Sequence, residues 1–250
     1  DRAKVVLDRT GAQTAGIPGA VRKLRIAAMT GKNDAAAEWL KEIITSTGDT
    51  QWACQTSFDA LTKAGCTKLL DETVRACIAD GKCSANATNC WLRMPFQESS
   101  WDVFYRQIGS ALHSDPSNVL KRELLSYIGE KKEIDLLQRF VNEFRTALAA
   151  DEECWGMVSY AYLANERIPD VVEWMSDWRQ RENAPPWALD NLAVALRTLN
   201  EPKTAREVSL ESLRITPNNP DAKTWLAVDA ARDNDVETLA ALIADVDADQ

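Results

Sequence analysis

The chain holds a single histidine, His113. Any Ser–His–Asp or Cys–His arrangement would have to run through it. His113 falls near the end of an expected helix, where a cation is favoured by the backbone dipole, so it reads as structural or surface. No Gly-rich loop of the phosphate-binding or dinucleotide-binding type is present. Adjacent carboxylates such as Glu152-Glu153 fall at helix starts, where negative charge is favoured without any catalytic role. The sequence carries no catalytic constellation: no enzyme activity is expected within it, and it implies no cofactor and no metal. Nothing approaches the roughly 20 consecutive apolar residues of a membrane span. Basic residues are scarce too: 29 Lys and Arg against 38 Asp and Glu leave a net charge of −9, so no nucleic-acid partner is expected. The acidity is concentrated late, with eight Asp/Glu against two Lys/Arg over 221–250, and reads as a solvated outer face. Strand-period alternation of useful length is also missing, which leaves an all-α fold class.

What is present is a period. Apolar residues recur every 34 positions in two columns: Ala35, Leu69, Val103, Leu137, Val171, Ala205 and Leu239, and Ile26, Ala60, Met94, Ile128, Tyr162, Leu196 and Ala230. A fixed period in this range marks an array of units that bury their apolar faces only against neighbours. Between the columns, helical segments alternate with turn signals. They predict seven helix pairs: 20–30 with 33–47, 50–64 with 67–80, 86–97 with 100–113, 118–130 with 133–149, 152–165 with 169–182, 186–199 with 202–215, and 220–232 with 235–247. Gly31 and Gly65 suit the positive φ of a helix C-terminus. Pro169 and Pro202 suit the first positions of the following helix. Asn33-Asp34, Ser99-Ser100 and Asn234-Asp235 supply capping side chains at the same phase. Residues 1–19 lack helical period and read as a tail or junction. The start at Asp1 without Met and the end inside a helical pattern read as cuts in a longer protein.

In residues 185–246, Leu192-Ala193, Leu196, Asn200, Ala205, Leu213 and Pro217 fall in the order of the tetratricopeptide repeat, and Leu226-Ala227, Ala230, Asn234 and Leu239 repeat that phase. One unit earlier, Trp155, Val158-Ser159, Tyr162 and Val171 are similar to the family's bulky, apolar, small and aromatic signature. The chain thus resembles this family most clearly over 118–250, while 20–117 is degenerate and Cys-rich. Arg22-Lys23 and Thr56-Ser57 stand there where apolar and small residues belong.

The resemblance implies a right-handed α-solenoid of about seven repeats, whose first helices line a concave groove for a protein or peptide partner. Carrying the phase across places Leu24, Phe58, Leu92, Ser126, Tyr160, Val194 and Val228 in one groove-facing column. An apolar stripe on an open face marks a contact site. With the Trp and Arg anchors typical of interfaces, the expected partner-binding residues are Arg122, Ser126, Tyr160, Trp187, Asp190, Val194 and Arg197. The Lys, Asn and Arg clamp of chaperone-binding repeats and the Asn ladder of sugar-transferring ones are both missing. The function implied is a docking scaffold; the alternative is a regulatory or substrate-presenting arm of an enzyme whose catalytic domain lies elsewhere. Homodimerisation through the Trp- and Cys-rich end is a further option.

Cys54, Cys66, Cys77, Cys83 and Cys90 lie close in sequence, with Cys154 apart. Their spacings do not match the paired short spacings of a zinc site. They are either small buried hydrophobes or, in an extracytoplasmic protein, disulfides in which Cys77, Cys83 and Cys90 staple the irregular third unit. The same stretch, GKCSANATNC, is taken as a loop and holds the glycosylation acceptor pattern Asn86-Ala87-Thr88.

Overall fold

A computed structural model describes residues 16–48, 50–94 and 101–248, and no strand occurs among them. The described residues form fourteen α-helices in seven consecutive pairs. These are α1 (Gly16–Met29) with α2 (Asn33–Ile44), α3 (Gln51–Lys63) with α4 (Thr67–Ala79), and α5 (Ala85–Leu92) with α6 (Trp101–His113). Then follow α7 (Val119–Lys131) with α8 (Ile134–Ala150), α9 (Glu152–Ala164) with α10 (Ile168–Trp174), α11 (Pro186–Thr198) with α12 (Pro202–Ile215), and α13 (Pro220–Arg232) with α14 (Val236–Ala248). The chain divides into two compact units after Leu124, inside α7.

In six of the seven pairs the turn between the helices is built the same way. Gly31, Gly65, Lys132, Glu166, Asn200 and Asn234 all take positive φ, between 55° and 73°. The residue after each donates its N–H to the carbonyl of Ala27, Leu61, Ile128, Tyr162, Leu196 and Ala230 respectively, at 2.8–3.4 Å. This is the 6→1 bond of a Schellman turn, which satisfies a helix-end carbonyl that would otherwise go unpaired. Pro169 and Pro202 occupy the first positions of α10 and α12. Asp235 accepts from the Thr238 N–H at 3.0 Å. Asn33-Asp34 provides no side-chain cap for α2, and Ser99-Ser100 lies outside the described residues.

The turns also show that the period slips once. Gly31 to Gly65 and Lys132 to Asn234 keep the 34-residue step, but Lys132 follows Gly65 by 67 residues, one short of two repeats. The buried position at the start of the second helix follows suit: Ala36, Leu70 and Phe104, then Leu137, Val171 and Ala205. The unbroken columns are thereby corrected, since Ala35, Leu69, Val103, Ile26 and Ala60 are only half-buried. Their neighbours Ala27 and Leu61 carry the structural role.

Packing in each unit is strictly local. In residues 1–124, α1 packs on α2 and α3, α2 on α3 and α4, α3 on α4 and α5, and α4 on α5 and α6. In residues 125–250, α8 packs on α9, α9 on α10 and α11, α10 on α11, α11 on α12, α12 on α13, and α13 on α14. Each extensive contact joins helices one or two places apart, the pattern of a repeat array.

Each unit also buries one tryptophan on an Asp–Arg pair. In the first, Trp91 Nε1 donates to Asp71 at 3.1 Å, while Arg75 pairs with Asp71 and lies 5.0 Å from the ring centre. In the second, Trp155 Nε1 donates to Asp177 at 3.2 Å, with Arg181 on Asp177 and 4.4 Å from the ring. The indole N–H of a fully buried Trp needs an acceptor, and the Arg offsets the charge that acceptor brings. Arg181 further donates to Glu152 and to the Ala149 carbonyl, both at 2.8 Å. This staple accounts for a departure from the expected helix over 169–182. That helix stops at Trp174, and a 3₁₀ turn over Trp178–Gln180 carries Arg181 back to the end of α8.

Candidate protein-docking face

The first helices of the second unit meet through glycines. A Cβ on Gly129 of α7 would lie 3.1 Å from Tyr160 Cε1, and one on Gly156 of α9 would lie 2.6 Å from Trp187 Cη2. Each glycine thus opens a slot that the edge of an aromatic ring from the next first helix fills. Both rings stay partly open, since Tyr160 and Trp187 are each 37% exposed. Counting back six from each turn residue gives Ser126, Tyr160, Val194 and Val228. Ser126 and Val194 are half-buried and Val228 is 41% exposed. Arg122, on the same helix as Ser126, is half-buried.

Two polar members of the expected site, Arg197 and Asp190, are engaged within the chain. Arg197 donates to Asp229 at 2.8 Å and to Ser209 at 3.2 Å, and its guanidinium lies 4.8 Å from the Trp225 ring centre. Its Nε and Nη1 are buried without a hydrogen-bond partner. Asp190 accepts from Asn219 Nδ2 at 2.7 Å, and Asn219 in turn caps α13 by accepting from the Asp221 and Ala222 N–H groups. Burial pushes the Asp190 carboxyl above its ordinary range, opposed by the hydrogen bonds from Asn219 and Ser212. Both side chains tie α11 to α13 rather than present themselves to solvent.

The first unit differs because of the slip. Leu24, Phe58 and Leu92, expected on the open face, are core residues at 0%, 2% and 1% exposure. The positions six before the turns are Arg25 and Asp59, with Arg93 next in step. Arg25, Met29, Thr56, Asp59 and Lys63 line a cleft of about 520 Å³ between α1 and α3. A smaller one of about 110 Å³, lined by Asp59, Lys63, Cys90 and Arg93 among others, follows between α3 and α5. This polar face was not anticipated. The signal that would have found it is Gly31 and Gly65, which fix the phase of the preceding helix independently of the apolar columns.

The stretch GKCSANATNC is not a loop throughout, for α5 begins at Ala85. Asn86 is half-buried with its Nδ2 donating to the Gly48 carbonyl at 3.0 Å, and Thr88 is fully buried. His113 sits in the last turn of α6 and contacts the Gly109 carbonyl at 2.9 Å. Among the described residues no group of three or more His, Cys, Asp and Glu could hold a metal ion, and no helix is long and apolar enough to cross a membrane. Comparison of the chain with family models, curated proteins and solved structures returns no match.

Proposed function

We propose that residues 125–250 are a docking platform for a partner polypeptide, with Tyr160, Trp187, Val194 and Val228 as its contact column. The observation that carries this reading is the pair of aromatic rings seated on Gly129 and Gly156. Each is packed along one edge and remains 37% exposed. A ring packed along one edge has less freedom left to lose on binding than a free side chain, so its further burial favours affinity. Arg197 and Asp190 act behind this face, fixing α11 against α13, and Arg122 and Ser126 border it. In this reading the segment binds rather than catalyses. The recurrent Schellman turns and nearest-neighbour packing favour a right-handed α-solenoid of the tetratricopeptide type.

The test is a random peptide library displayed on phage and panned against the whole chain. Enriched peptides are then titrated against the wild type, Val194→Glu and Val228→Glu. Val228 is exposed and Val194 half-buried, so Val228→Glu should leave thermal unfolding unchanged and Val194→Glu should lower it slightly, while peptide affinity falls at least about tenfold in both, the scale of truncating one side chain at the centre of an interface. Unaltered affinity in both variants, or no enrichment at all, overturns the reading.

A further inference from the structure

The second unit holds a polar cleft that the docking column does not use. It measures about 330 Å³ and is lined by α8, α10 and one residue of α9. Gln138, Asn142 and Arg145 recur at i, i+4 and i+7 along α8, so they share one face of that helix. Asp170 and Glu173, three apart on α10, supply the other wall. One wall therefore carries a cation and two amides, the other two carboxylates. Trp174 and Tyr162, 8% and 7% exposed, complete the lining.

The two walls do not neutralise each other. Among the described residues Arg145 and Glu173 make no ion pair, and the Arg145 guanidinium lies 5.5 Å from the centre of the Trp174 ring. Arg167, which does not line the cleft, donates its Nε to Asp170 at 2.6 Å. With the Gln138 amide oxygen turned to the same guanidinium, 3.2 Å from Nη1 and Nη2, its NH₂ is left to donate elsewhere. Trp174 spends its indole N–H on the Trp155 carbonyl at 2.9 Å. Tyr162 has no such partner: more than nine-tenths of the residue is buried, yet among the described residues its hydroxyl makes no hydrogen bond. A buried polar group left unpaired is costly, and a ligand in the cleft would pair it. Burial and the nearby Asp170 carboxylate push its ionisation above the ordinary range, so it stays a donor.

We propose that this cleft binds a free α-amino acid, its carboxylate on Arg145 and the Tyr162 hydroxyl, its ammonium on Glu173 and Asp170. A ligand bearing both charges satisfies both walls at once through charge-assisted hydrogen bonds. A plain anion would face two carboxylates, and a plain cation would leave Arg145 and the Tyr162 hydroxyl unanswered. The Gln138 and Asn142 amides remain to read the ligand's side chain.

The whole chain is titrated calorimetrically with each standard amino acid up to about 10 mM. Each one that binds is repeated as its α-amide, which lacks the carboxylate, and as its N-acetyl derivative, which lacks the ammonium. At least one amino acid should bind, and loss of either charge should weaken it at least about tenfold, as should Arg145→Gln. Tyr162→Phe removes only the unpartnered hydroxyl, so its melting temperature should match the wild type while affinity falls about tenfold. No binding by any amino acid, a derivative that binds as well as its parent, unchanged affinity in either variant, or a lower melting temperature for Tyr162→Phe overturns the proposal.

Discussion

Gly156→Ala sets two well-measured effects against each other. Helix propensity favours alanine by about 1 kcal/mol at an interior helical position. Against it stands the Cβ, which would fall 2.6 Å from Trp187 Cη2 and 2.9 Å from both Trp187 Cζ2 and Ala188 Cβ. Carbon atoms reach their optimum near 3.5–4.0 Å, so all three approaches are repulsive. The half-open ring can pivot. Ala188 cannot, because its Cβ is fixed to the backbone of α11 and fully buried, so α9 and α11 must move apart. Overpacking of this kind costs about 1–3 kcal/mol, and an immovable Ala188 Cβ at 2.9 Å beside a crowded ring places it in the upper half of that range. The net expectation is a destabilisation of about 1–2 kcal/mol. Gly129→Ala is the internal control. Its nearest obstacles are Tyr160 Cε1 at 3.1 Å and the Ala161 Cα at 3.5 Å. The ring edge can yield by the few tenths of an ångström required, so propensity wins and stability rises by up to about 1 kcal/mol. Urea unfolding followed by far-ultraviolet circular dichroism compares the two, with an unchanged slope confirming that only stability has moved. A Gly156→Ala chain as stable as Gly129→Ala would refute the close packing of α9 on α11.

Removing Asp229 leaves the Arg197 guanidinium buried without its counter-charge, and Asp229→Ala should cost about 3 kcal/mol. Arg197→Met with Asp229→Leu removes both charges and should restore most of that loss in the same urea assay; an equal loss in single and double variants would show that charge burial is not the cause. Asp190 gives a pH signature. Because burial raises its carboxyl, the native state holds the proton more tightly than the unfolded chain does. Its contribution to stability therefore falls as pH rises from the ordinary value of 3.8 through the raised one. Asp190→Asn keeps an acceptor for Asn219 and removes the titration. Relative to the wild type it should gain stability as pH rises through that window. An identical pH dependence in the two proteins would refute it.

Most helix bounds were legible to a residue or two because turn chemistry and helical period agree at most joints; the start of α1 and the ends of α2, α5 and α10 were not, with α5 stopping at Leu92 where the expected helix ran to 97. Pro202 opens α12 and Pro169 sits in the first turn of α10, as their fixed φ demands, and glycine at 31 and 65 ends α1 and α3. Four later turns use Lys132, Glu166, Asn200 and Asn234 at positive φ instead. Asn tolerates that conformation; Lys and Glu offer no such signal, so the turn at Lys132 was found only by counting and that at Glu166 through Pro169 beyond it. The short α10 was not legible, because the Arg181 staple that replaces its last turns depends on Trp155 and Ala149 from other elements.

The open face was legible only in part, and one residue explains why. A helix turns about 100° per residue, so a phase carried across the 67-residue interval between Gly65 and Lys132 arrives rotated by that amount. Helix boundaries tolerate such an error, since they are uncertain by a residue or two in any case. Face assignments do not tolerate it. The rotation moves Leu24, Phe58 and Leu92 from groove to core and brings Arg25 and Asp59 to the surface in their place. Degenerate positions in the first unit, such as Arg22-Lys23 and Thr56-Ser57, are partly the same slip seen from the sequence side. Val21 and Leu24 are buried while Arg22 is exposed, and Ser57 and Phe58 are buried beside a half-buried Thr56. A 34-residue phase therefore suffices to place most of the helices, whereas the surface they offer must be indexed from each turn separately. Indexed so, the two units present different first-helix faces. The first is lined by Arg25, Asp59 and Lys63 and carries exposed Met29 and Trp52 on the same helices, whereas the second sets its half-open rings, Tyr160 and Trp187, on glycines beside Val194 and Val228.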